Sequence, residues 1–388
     1  MAEIPLALYL HFPWCVRKCP YCDFNSHPLR GDIPEDAYVD ALLADLDYEL
    51  SDRPEHRPLV SIFMGGGTPS LFSARAIGRV LEGVERRLRW VEDIEITLEA
   101  NPGTAEAGHF PGYRSAGVNR LSMGFQSLND VHLKRLGRIH DRDEAIRAFE
   151  RARRAGFDNI NIDLMFGLPE QTPAEAAADL DQAISLAPEH LSYYQLTLEP
   201  NTEFGLHPPP LPADEPLWAM HEQGHAQLAD AGFAQYEVSA FARAGRRSRH
   251  NGNYWTFGDY LGVGAGAHGK RSWRESGGLA IERRARHKHP RTYLSRAGGA
   301  EALQECHPVA VADRRFEFLM NALRLTGGFD LAEYRARTGL DWDDDSAAVR
   351  EARHRQWLHT DGARVRPTPL GLNYLNPLLG LFLDQDDA

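Results

Sequence analysis

Near its start the chain contains the stretch His11-Phe-Pro-Trp-Cys15-Val-Arg-Lys-Cys19-Pro-Tyr-Cys22-Asp-Phe24, which follows an apolar run and holds three cysteines. The cysteines are spaced C-x3-C-x2-C. Cluster irons prefer soft thiolate ligands, so a tight run of this kind predicts that Cys15, Cys19 and Cys22 hold three irons of a 4Fe–4S cluster. The fourth iron would have no cysteine and would stay open to a small molecule. An open iron is typical of a cluster that does chemistry rather than one that only carries electrons.

Disulfides and zinc are the alternatives for these cysteines. A disulfide framework is not favoured, because four cysteines in 388 residues are few and the chain leads directly into a strand-like run without a signal-peptide pattern. Zinc usually takes four ligands in two pairs, but His11 or His27 could complete a site, so zinc stays open. The fourth thiol, Cys306, lies in a stretch that predicts a surface helix and is interpreted as an ordinary free cysteine.

Length, composition and charge restrict the class of protein. A chain of 388 residues with 43% apolar residues predicts about two domains, one of them large enough for an α/β barrel. No apolar run reaches the roughly 18–20 residues of a membrane span, and the run 377–383 predicts a short buried helix. The net charge of −12, with an acidic tail at 384–388, argues against a nucleic-acid partner. Without a targeting signal, the chain is expected in the cytoplasm.

Strand-like apolar runs alternate with helical periodicity over the first half of the chain. The predicted strands are 6–12, 59–64, 93–99, 120–125, 159–165 and 190–198, and the main predicted helices are 35–50, 74–89, 143–155, 174–186 and 215–231. Six βα units in series imply a parallel sheet with right-handed crossovers. Such a sheet, curled into a partial or full (β/α)6 barrel, places its functional polar residues at the C-terminal ends of the strands.

The pattern changes after Pro208-Pro-Pro-Leu-Pro212. A Gly- and Arg-rich stretch to about residue 300 is predicted to be irregular, and a new pattern of three helices, a two-stranded wing near 361–368 and a final helix begins at Asp313. The predicted domains are therefore a barrel at 1–240, a connecting region at 241–305 and a small winged-helix-like α+β domain at 306–388. The acidic charge favours a structural or protein-contact role for that last domain over DNA binding.

Polar residues follow several of the predicted strands. Gly65-Gly-Gly-Thr68 after the second strand would let backbone groups approach a ligand closely, although an ordinary tight turn is the alternative. Glu99, Gln126 and Asp163 end the third, fourth and fifth strands. Each alone could be a helix cap or a satisfied polar group, but on one rim with the cysteines they predict the wall of a single polar pocket.

A second distinctive stretch is His250-Asn-Gly-Asn-Tyr-Trp255, outside the βα repeat. Histidine is a common iron ligand and flat aromatic rings suit a flat macrocycle, which predicts a heme contact. The alternative is a loop whose aromatic side chains plug a domain junction. The run Tyr260-Leu-Gly-Val-Gly-Ala-Gly-Ala-His268 is similar to a phosphate loop, but close backbone packing explains its glycines equally well.

The cysteine motif, the glycine turn and the βα repeat together resemble the radical SAM superfamily. More narrowly, the chain is similar to the oxygen-independent coproporphyrinogen III oxidase family along nearly its whole length. The matching stretches are Tyr9-Leu-His-Phe-Pro-Trp-Cys15, Gly65-Gly-Gly-Thr-Pro-Ser70, Glu99, Gly124-Phe-Gln-Ser127, Arg138 and Asn161-Ile-Asp-Leu-Met-Phe-Gly-Leu-Pro169. In that superfamily S-adenosylmethionine chelates the open iron and is cleaved by one electron to methionine and a 5′-deoxyadenosyl radical.

The resemblance implies a set of site residues. It makes Cys15, Cys19 and Cys22 the cluster ligands. It places around S-adenosylmethionine the residues Tyr9, Gly66, Gly67, Thr68, Glu99, Gln126, Arg138 and Asp163. The chemistry agrees, because Glu99 can accept from an ammonium or a hydroxyl, Arg138 can pair a carboxylate and Asp163 can hold a ribose.

Two departures from the oxidase pattern favour another branch of the family. The oxidases carry a fourth cysteine two residues after the third, where this chain has Phe24, and they have a longer segment before the first cysteine. Both departures, the missing fourth cysteine and the short segment before the first one, are typical of the heme-chaperone branch. That branch also carries an H-N-x-x-Y-W motif, matched here by His250, Asn251, Tyr254 and Trp255. This branch implies heme as cargo, a haemoprotein recipient that can be membrane-associated, a peripheral position at the inner membrane and a homodimer.

The resemblance leaves the enzymatic question open. Radical decarboxylation of coproporphyrinogen III is the alternative function, since the cluster motif is intact. A radical enzyme acting on RNA is a third hypothesis, which the acidic charge and the lack of a basic patch disfavour.

Overall fold

The computed structural model describes residues 3–103 and 106–383, so the acidic tail at 384–388 lies outside the described residues. Within those ranges no helix is both long enough and apolar enough to cross a lipid bilayer.

A single large twisted sheet organises most of the chain. Its strands, in chain order, are β1 Leu6–Phe12, β4 Leu59–Gly66, β5 Trp90–Ala100, β6 Arg120–Gln126, β7 Ile160–Phe166, β8 His190–Gln195, β9 Ala234–Glu237, β10 Ala240–Ala242, β11 Asp259–Val263, β12 His268–Glu275, β13 Gly278–Arg286 and β14 Leu303–Pro308. In space they follow the order β14-β13-β12-β11-β1-β4-β5-β6-β7-β8-β10-β9. The strands from β11 to β8 in this order are parallel, and the flanking ones are antiparallel. A short parallel pair, β2 Trp14–Cys15 and β3 His27–Pro28, frames the cysteine loop.

The helices that precede the C-terminal domain lie between the strands of the large sheet in chain order. They are α1 Glu35–Asp52, α2 Ala74–Glu85, α3 Phe110–Ser115, α4 Asp130–Arg135, α5 Arg142–Arg154, α6 Pro173–Ser185, α7 Glu203–Leu206, α8 Asp214–Asp230, α9 Arg249–Trp255 and α10 Pro290–Arg296. Local sequence explains where two of them begin. Asp141 with Glu144 forms a capping box at α5, and Thr172 with Glu175 forms one at α6, so side chains satisfy the first free amides of each helix.

The predicted partial (β/α)6 barrel is confirmed, and its six predicted strands all occur within a few residues of their expected bounds. Strands β1 and β7 are buried along nearly their whole length because both of their faces are covered. A continuous core of buried aliphatic and aromatic side chains fills the space between sheet and helices. The sheet keeps two edges, β14 and β9, so the barrel is open.

The stretch expected to be irregular before residue 300 is instead regular. Strand β11 pairs in parallel with β1, and β12, β13 and β14 continue the sheet as an antiparallel meander. The expected surface helix at Cys306 is also wrong, because Cys306 is an exposed residue of strand β14. Arginine-rich strands were hard to recognise because their charges are paired inside the protein: Arg286 of β13 is fully buried against Asp45 of α1.

The C-terminal winged-helix-like domain is confirmed. It consists of α11 Asp313–Ala322, β15 Phe329–Asp330, α12 Leu331–Thr338, α13 Ala347–His354, β16 Leu358–Asp361, β17 Arg364–Pro367, α14 Pro369–Asn373 and α15 Leu375–Gly380. Strands β16 and β17 form the expected wing, and β15 adds a third strand to their small sheet. The domain has its own aromatic core around Phe318, Phe329 and Tyr334.

Candidate functional site

A cavity of about 620 Å³ opens at the C-terminal ends of the parallel strands. Its wall includes the three predicted cluster ligands, Cys15, Cys19 and Cys22. It also includes the whole set predicted around S-adenosylmethionine, which is Tyr9, Gly66, Gly67, Thr68, Glu99, Gln126, Arg138 and Asp163. Residues that are far apart in sequence therefore meet here because parallel strands end on one rim. Cys306 is not among the lining residues.

Each of the three thiols has its own polar neighbour. Cys15 Sγ accepts a hydrogen bond from Thr68 Oγ1 at 3.3 Å, and Cys19 Sγ accepts one from Arg138 Nη1 at 3.6 Å. Cys22 Sγ lies 3.8 Å from Ser26 Oγ. Burial raises the pKa of the Cys15 and Cys22 thiols. An iron that replaces the thiol proton would offset this burial, because coordination holds cysteine as the thiolate.

The two histidines that could complete a zinc site are engaged elsewhere. His11 has one ring nitrogen 3.0 Å from the hydroxyl of Tyr9 and the other 2.9 Å from the backbone oxygen of Asn25. His27 Nε2 lies 3.1 Å from Asn25 Oδ1. Among the described residues, no three His, Cys, Asp or Glu side chains converge on a single metal ion. A cluster differs in this respect, since it offers a separate iron to each thiolate.

The backbone of the glycine turn after β4 is hydrogen-bonded to the segment that leads into the cysteine loop. The amide of Gly67 donates to the Phe12 oxygen at 2.7 Å, and that of Thr68 donates to the Trp14 oxygen at 2.8 Å. A Cβ atom on Gly67 would lie 2.6 Å from the Trp14 oxygen. Gly66 has φ +110°, and a Cβ atom there would overlap the His11 ring. Glycine is therefore required at both positions, because the His11 ring and the backbone of the cysteine loop approach this turn closely.

A chain of hydrogen bonds links two of the thiols across the rim. Thr68 Oγ1, which donates to Cys15, accepts from Asn101 Nδ2 at 2.9 Å, and Asn101 Oδ1 accepts from Arg138 Nη2 at 2.7 Å. Arg138 in turn reaches Cys19. Asn101 is therefore a site residue that sequence reasoning missed. Its position two residues after Glu99, at the end of β5, was the available signal.

The acidic side of the cavity is formed by Glu99 and Asp163. Burial and the Asp163 charge raise the pKa of Glu99 to about 7, and a hydrogen bond from the backbone amide of Gly66 opposes this rise. Burial also raises the pKa of Asp163, whose oxygens accept hydrogen bonds from Asn161 Nδ2 at 2.8 Å and Ser122 Oγ at 3.3 Å. Two carboxyl groups held in this way favour a cationic partner, which would stabilise their charged forms.

Gln126 has an unusual backbone at the edge of the cavity. Its φ is +70°, and the pairing of β6 with β7 shifts register between Gly124 and Gln126. The side chain is held by Tyr194, whose hydroxyl donates to Gln126 Oε1 at 2.8 Å. A left-handed non-glycine residue at a bulge costs energy and is typical of functional sites, where it redirects a side chain.

The HNxxYW stretch forms the short helix α9, which packs against β1 and β4. His250, Asn251 and Tyr254 line the cysteine cavity, whereas Trp255 lines a smaller adjacent cavity of about 200 Å³. The His250 ring is 1% exposed and stacks on Phe63, with ring centroids 4.8 Å apart. The guanidinium carbon of Arg324, just after helix α11, lies over the Trp255 ring, 4.5 Å from its centroid. In this arrangement α9 forms part of the cavity wall and also contacts Arg324 through Trp255.

Both ring nitrogens of His250 have hydrogen-bond partners. Nδ1 lies 3.0 Å from Ser61 Oγ and Nε2 lies 2.9 Å from the Tyr254 hydroxyl. Burial, with a smaller effect of Arg120, lowers the pKa of His250 to about 3, so its ring is neutral. Ligation of an iron by His250 would therefore require it to leave Ser61 or Tyr254.

The glycine run near β11 serves close packing rather than an anion. A Cβ atom on Gly262 would overlap the backbone oxygen of His268, and one on Gly264, which has φ +107°, would lie 2.5 Å from the His11 oxygen. The run therefore lets β11 lie closely beside β1 and β12.

Comparison with known proteins agrees with this architecture. The family model described as the radical SAM superfamily matches residues 9–183, and the HemN C-terminal domain matches residues 309–373. Among solved structures, coproporphyrinogen III oxidase (HemN) from Escherichia coli has a TM-score of 0.81 at 23% identity, covering 98% of this chain and 90% of that one. At that identity the likeness concerns the fold alone.

Two curated relatives match along almost their whole length. The heme chaperone HemW of Haemophilus influenzae is 49% identical over 98% of this chain and 99% of its own. The heme chaperone HemW of Escherichia coli is 48% identical over 98% of both chains. The chain therefore belongs to the heme chaperone HemW family of radical SAM proteins.

Proposed function

We propose that this protein is a heme chaperone that carries a 4Fe–4S cluster and S-adenosylmethionine in the cysteine cavity and delivers heme to a haemoprotein. The observation that supports it best is the meeting of three free thiols, a polar rim and Phe24 at one cavity. The names of the full-length relatives point the same way.

The residues of the cavity suit both groups. Cys15, Cys19 and Cys22 would hold three irons, and their separate polar neighbours would stabilise the thiolates. Arg138, a planar donor already within reach of Cys19, would pair a carboxylate beside the cluster, while Glu99 would accept from an ammonium. When bound, the cluster supplies one electron for reductive cleavage of S-adenosylmethionine.

Phe24 supports the chaperone proposal over the oxidase alternative. It lines the cavity and is 58% exposed, at the position where the oxidase pattern has a fourth cysteine. A phenyl ring offers an apolar surface there but cannot bind iron or exchange a proton. The oxidase step would therefore lack a group that its pattern supplies.

The heme contact by His250, Asn251, Tyr254 and Trp255 stays a prediction. Titration of ferric heme into the wild type and into His250→Gln tests it, since glutamine can replace the hydrogen bonds of His250 but not its iron-binding nitrogen. Equal binding by both proteins would remove His250 as a ligand.

The same proposal includes the cellular setting. The recipient is a haemoprotein, which can be membrane-associated, and the chaperone works in the cytoplasm or at the periphery of the inner membrane. A homodimer that forms with the cluster is part of the proposal. Light scattering on cluster-loaded and cluster-free protein tests the dimer, and equal masses for the two would contradict it.

One paired experiment separates the chaperone from the enzyme. Purified, cluster-loaded protein is given coproporphyrinogen III, S-adenosylmethionine and a reductant without oxygen, and is separately titrated with heme. Heme binding without sustained decarboxylation supports the chaperone. Sustained product that disappears in Cys19→Ala would overturn it in favour of the oxidase.

A further inference from the structure

A second cavity of about 630 Å³ lies between helix α8 and the C-terminal domain. It shares no lining residue with the cysteine cavity. Helix α8 contributes His221 and His225, strand β16 contributes His359, and β17 contributes Arg366. Three imidazoles on one cavity are a strong concentration of iron-binding side chains.

His221 and His225 form a close pair. They are one turn apart on α8, and their ring centroids are 4.0 Å apart. Trp218 stacks on His221 at 5.2 Å, and Phe241 meets His225 edge-on at 5.0 Å. These aromatic contacts hold the two rings in place without using their nitrogens.

The ring nitrogens of this pair are available. Among residues 3–103 and 106–383, no hydrogen bond or ion pair engages His221 or His225. The buried His190, by contrast, has partners at both ring nitrogens, as has His250. Burial and the neighbouring His221 lower the pKa of His225 to about 4, and burial lowers that of His221. Both rings are thus neutral near pH 7, which is the form that binds iron.

The rest of the cavity suits a flat apolar molecule with acidic edges. Val238, Pro367 and Leu372 form apolar wall, and the volume lies within the roughly 300–1,000 Å³ of small-molecule sites. Arg366 is exposed, sits opposite His359 across the wing, and has no carboxylate partner in the described part of the chain. It can therefore pair a carboxylate of the ligand.

We propose that this second cavity, a groove between α8 and the C-terminal domain, binds heme. The His221–His225 pair would supply an axial ligand to the iron, and Arg366 would pair a propionate. The inference rests on the proposed function and names a cargo site that is separate from the HNxxYW stretch. Heme suits the groove better than a bare ion, because its iron already has four porphyrin nitrogens and needs only axial ligands. No three His, Cys, Asp or Glu side chains of the described residues converge on a bare ion.

The test uses the double variant His221→Phe/His225→Phe in the full-length, cluster-loaded protein. Phenylalanine keeps the stacking on Trp218 and Phe241 but removes the nitrogens. Ferric heme is titrated and followed by the Soret difference spectrum, and retained heme is measured after free heme is removed. We expect affinity at least about tenfold weaker than wild type and loss of the histidine-ligated spectrum. His354→Ala, an exposed histidine on α13, is the matched control and should behave as wild type.

Each other outcome is decisive. If wild type binds no heme, the proposed function fails together with the inference. If wild type and the double variant bind equally, or if only His250→Gln loses binding, the inference is overturned and the proposed function stands. If Zn²⁺ alone distinguishes the double variant from wild type and heme does not, the pair is a metal site and not a heme site.

A surface variant protects the test against a folding defect. Arg366→Glu changes an exposed side chain and should leave the circular dichroism spectrum unchanged. We expect it to weaken heme binding severalfold by repelling the propionate. Unchanged heme affinity in Arg366→Glu would contradict the proposed orientation of heme in the groove.

Discussion

The backbone amide of Gly66 donates a hydrogen bond to Glu99 Oε2 at 3.0 Å. This hydrogen bond counteracts the rise in the Glu99 pKa, but burial and the Asp163 charge outweigh it, so the pKa reaches about 7. The glycine turn and the acidic wall are thereby coupled. A cationic ligand bound beside Glu99 would stabilise its carboxylate further and lower its pKa.

This coupling predicts a pH dependence for S-adenosylmethionine binding. A ligand ammonium stabilises the Glu99 carboxylate, so binding releases the proton that Glu99 holds below pH 7. Affinity should rise with pH, by up to about tenfold per unit below pH 7, and level off above pH 8. Calorimetric titration between pH 6 and 8 measures this.

Two variants isolate the effect of that carboxyl group. Glu99→Gln should bind more weakly at pH 8 and lose most of the dependence on pH. Glu150→Gln, which removes an exposed carboxylate of α5, should match the wild type. A Glu99→Gln profile parallel to that of the wild type would assign the titration to another group.

The cluster motif predicts that each of its cysteines is needed. Serine substitution of Cys15, Cys19 or Cys22 should abolish or sharply reduce the iron and sulfide retained after anaerobic reconstitution, because a hydroxyl is a poor ligand for cluster iron. Cys306→Ser, on the exposed strand β14, is the matched control and should keep the full amount. Full retention by any variant of the three would point to a different ligand set.

His250 should contribute to stability whatever its role with heme. His250→Ala removes a ring that is bonded to Ser61 and Tyr254 and leaves both hydroxyls without that partner. We expect the free energy of unfolding to fall by roughly 2–4 kcal/mol. His250→Gln, which can restore a hydrogen bond, should recover part of the loss in denaturant unfolding. Unchanged stability in the alanine variant would mean that α9 is not held by this ring.

The charged interior between β13 and α1 should be sensitive to truncation. Arg286 and Asp45 are both fully buried, with Arg286 Nε 3.1 Å from each Asp45 oxygen. Arg286→Ala leaves the carboxylate of Asp45 without its cation and should cost about 3–5 kcal/mol in urea unfolding. The exposed pair Arg86–Glu82 is the control, and Arg86→Ala should change stability by less than about 1 kcal/mol. Similar losses in both variants would contradict this difference in burial.

Much of the fold was predictable because its elements have strong local signals. The strand at Leu6–Phe12 was predicted at its observed bounds, and helices α5 and α6 were displaced by only one residue. Their apolar periodicity and capping residues act locally, so a short stretch of sequence is enough to predict these elements. The strands β12 and β13 were missed because their arginines look like solvent-exposed residues until the acidic face of α1 is brought against them, as Glu49 is against Arg271 and Asp45 against Arg286.

For the candidate site too, some features follow from the sequence and others only from the fold. The sequence by itself determined which residues could bind: the C-x3-C-x2-C thiols, the glycine turn after β4, and Phe24 in place of a fourth thiol. These are matters of residue type and spacing, which folding does not alter. Only the tertiary structure decided that Asn101 bridges Thr68 to Arg138, that the ring of His250 is engaged, and that His221 and His225 face a cavity with their nitrogens available. Hydrogen bonds and burial depend on which distant segments pack together, and that information exists only once the chain is folded.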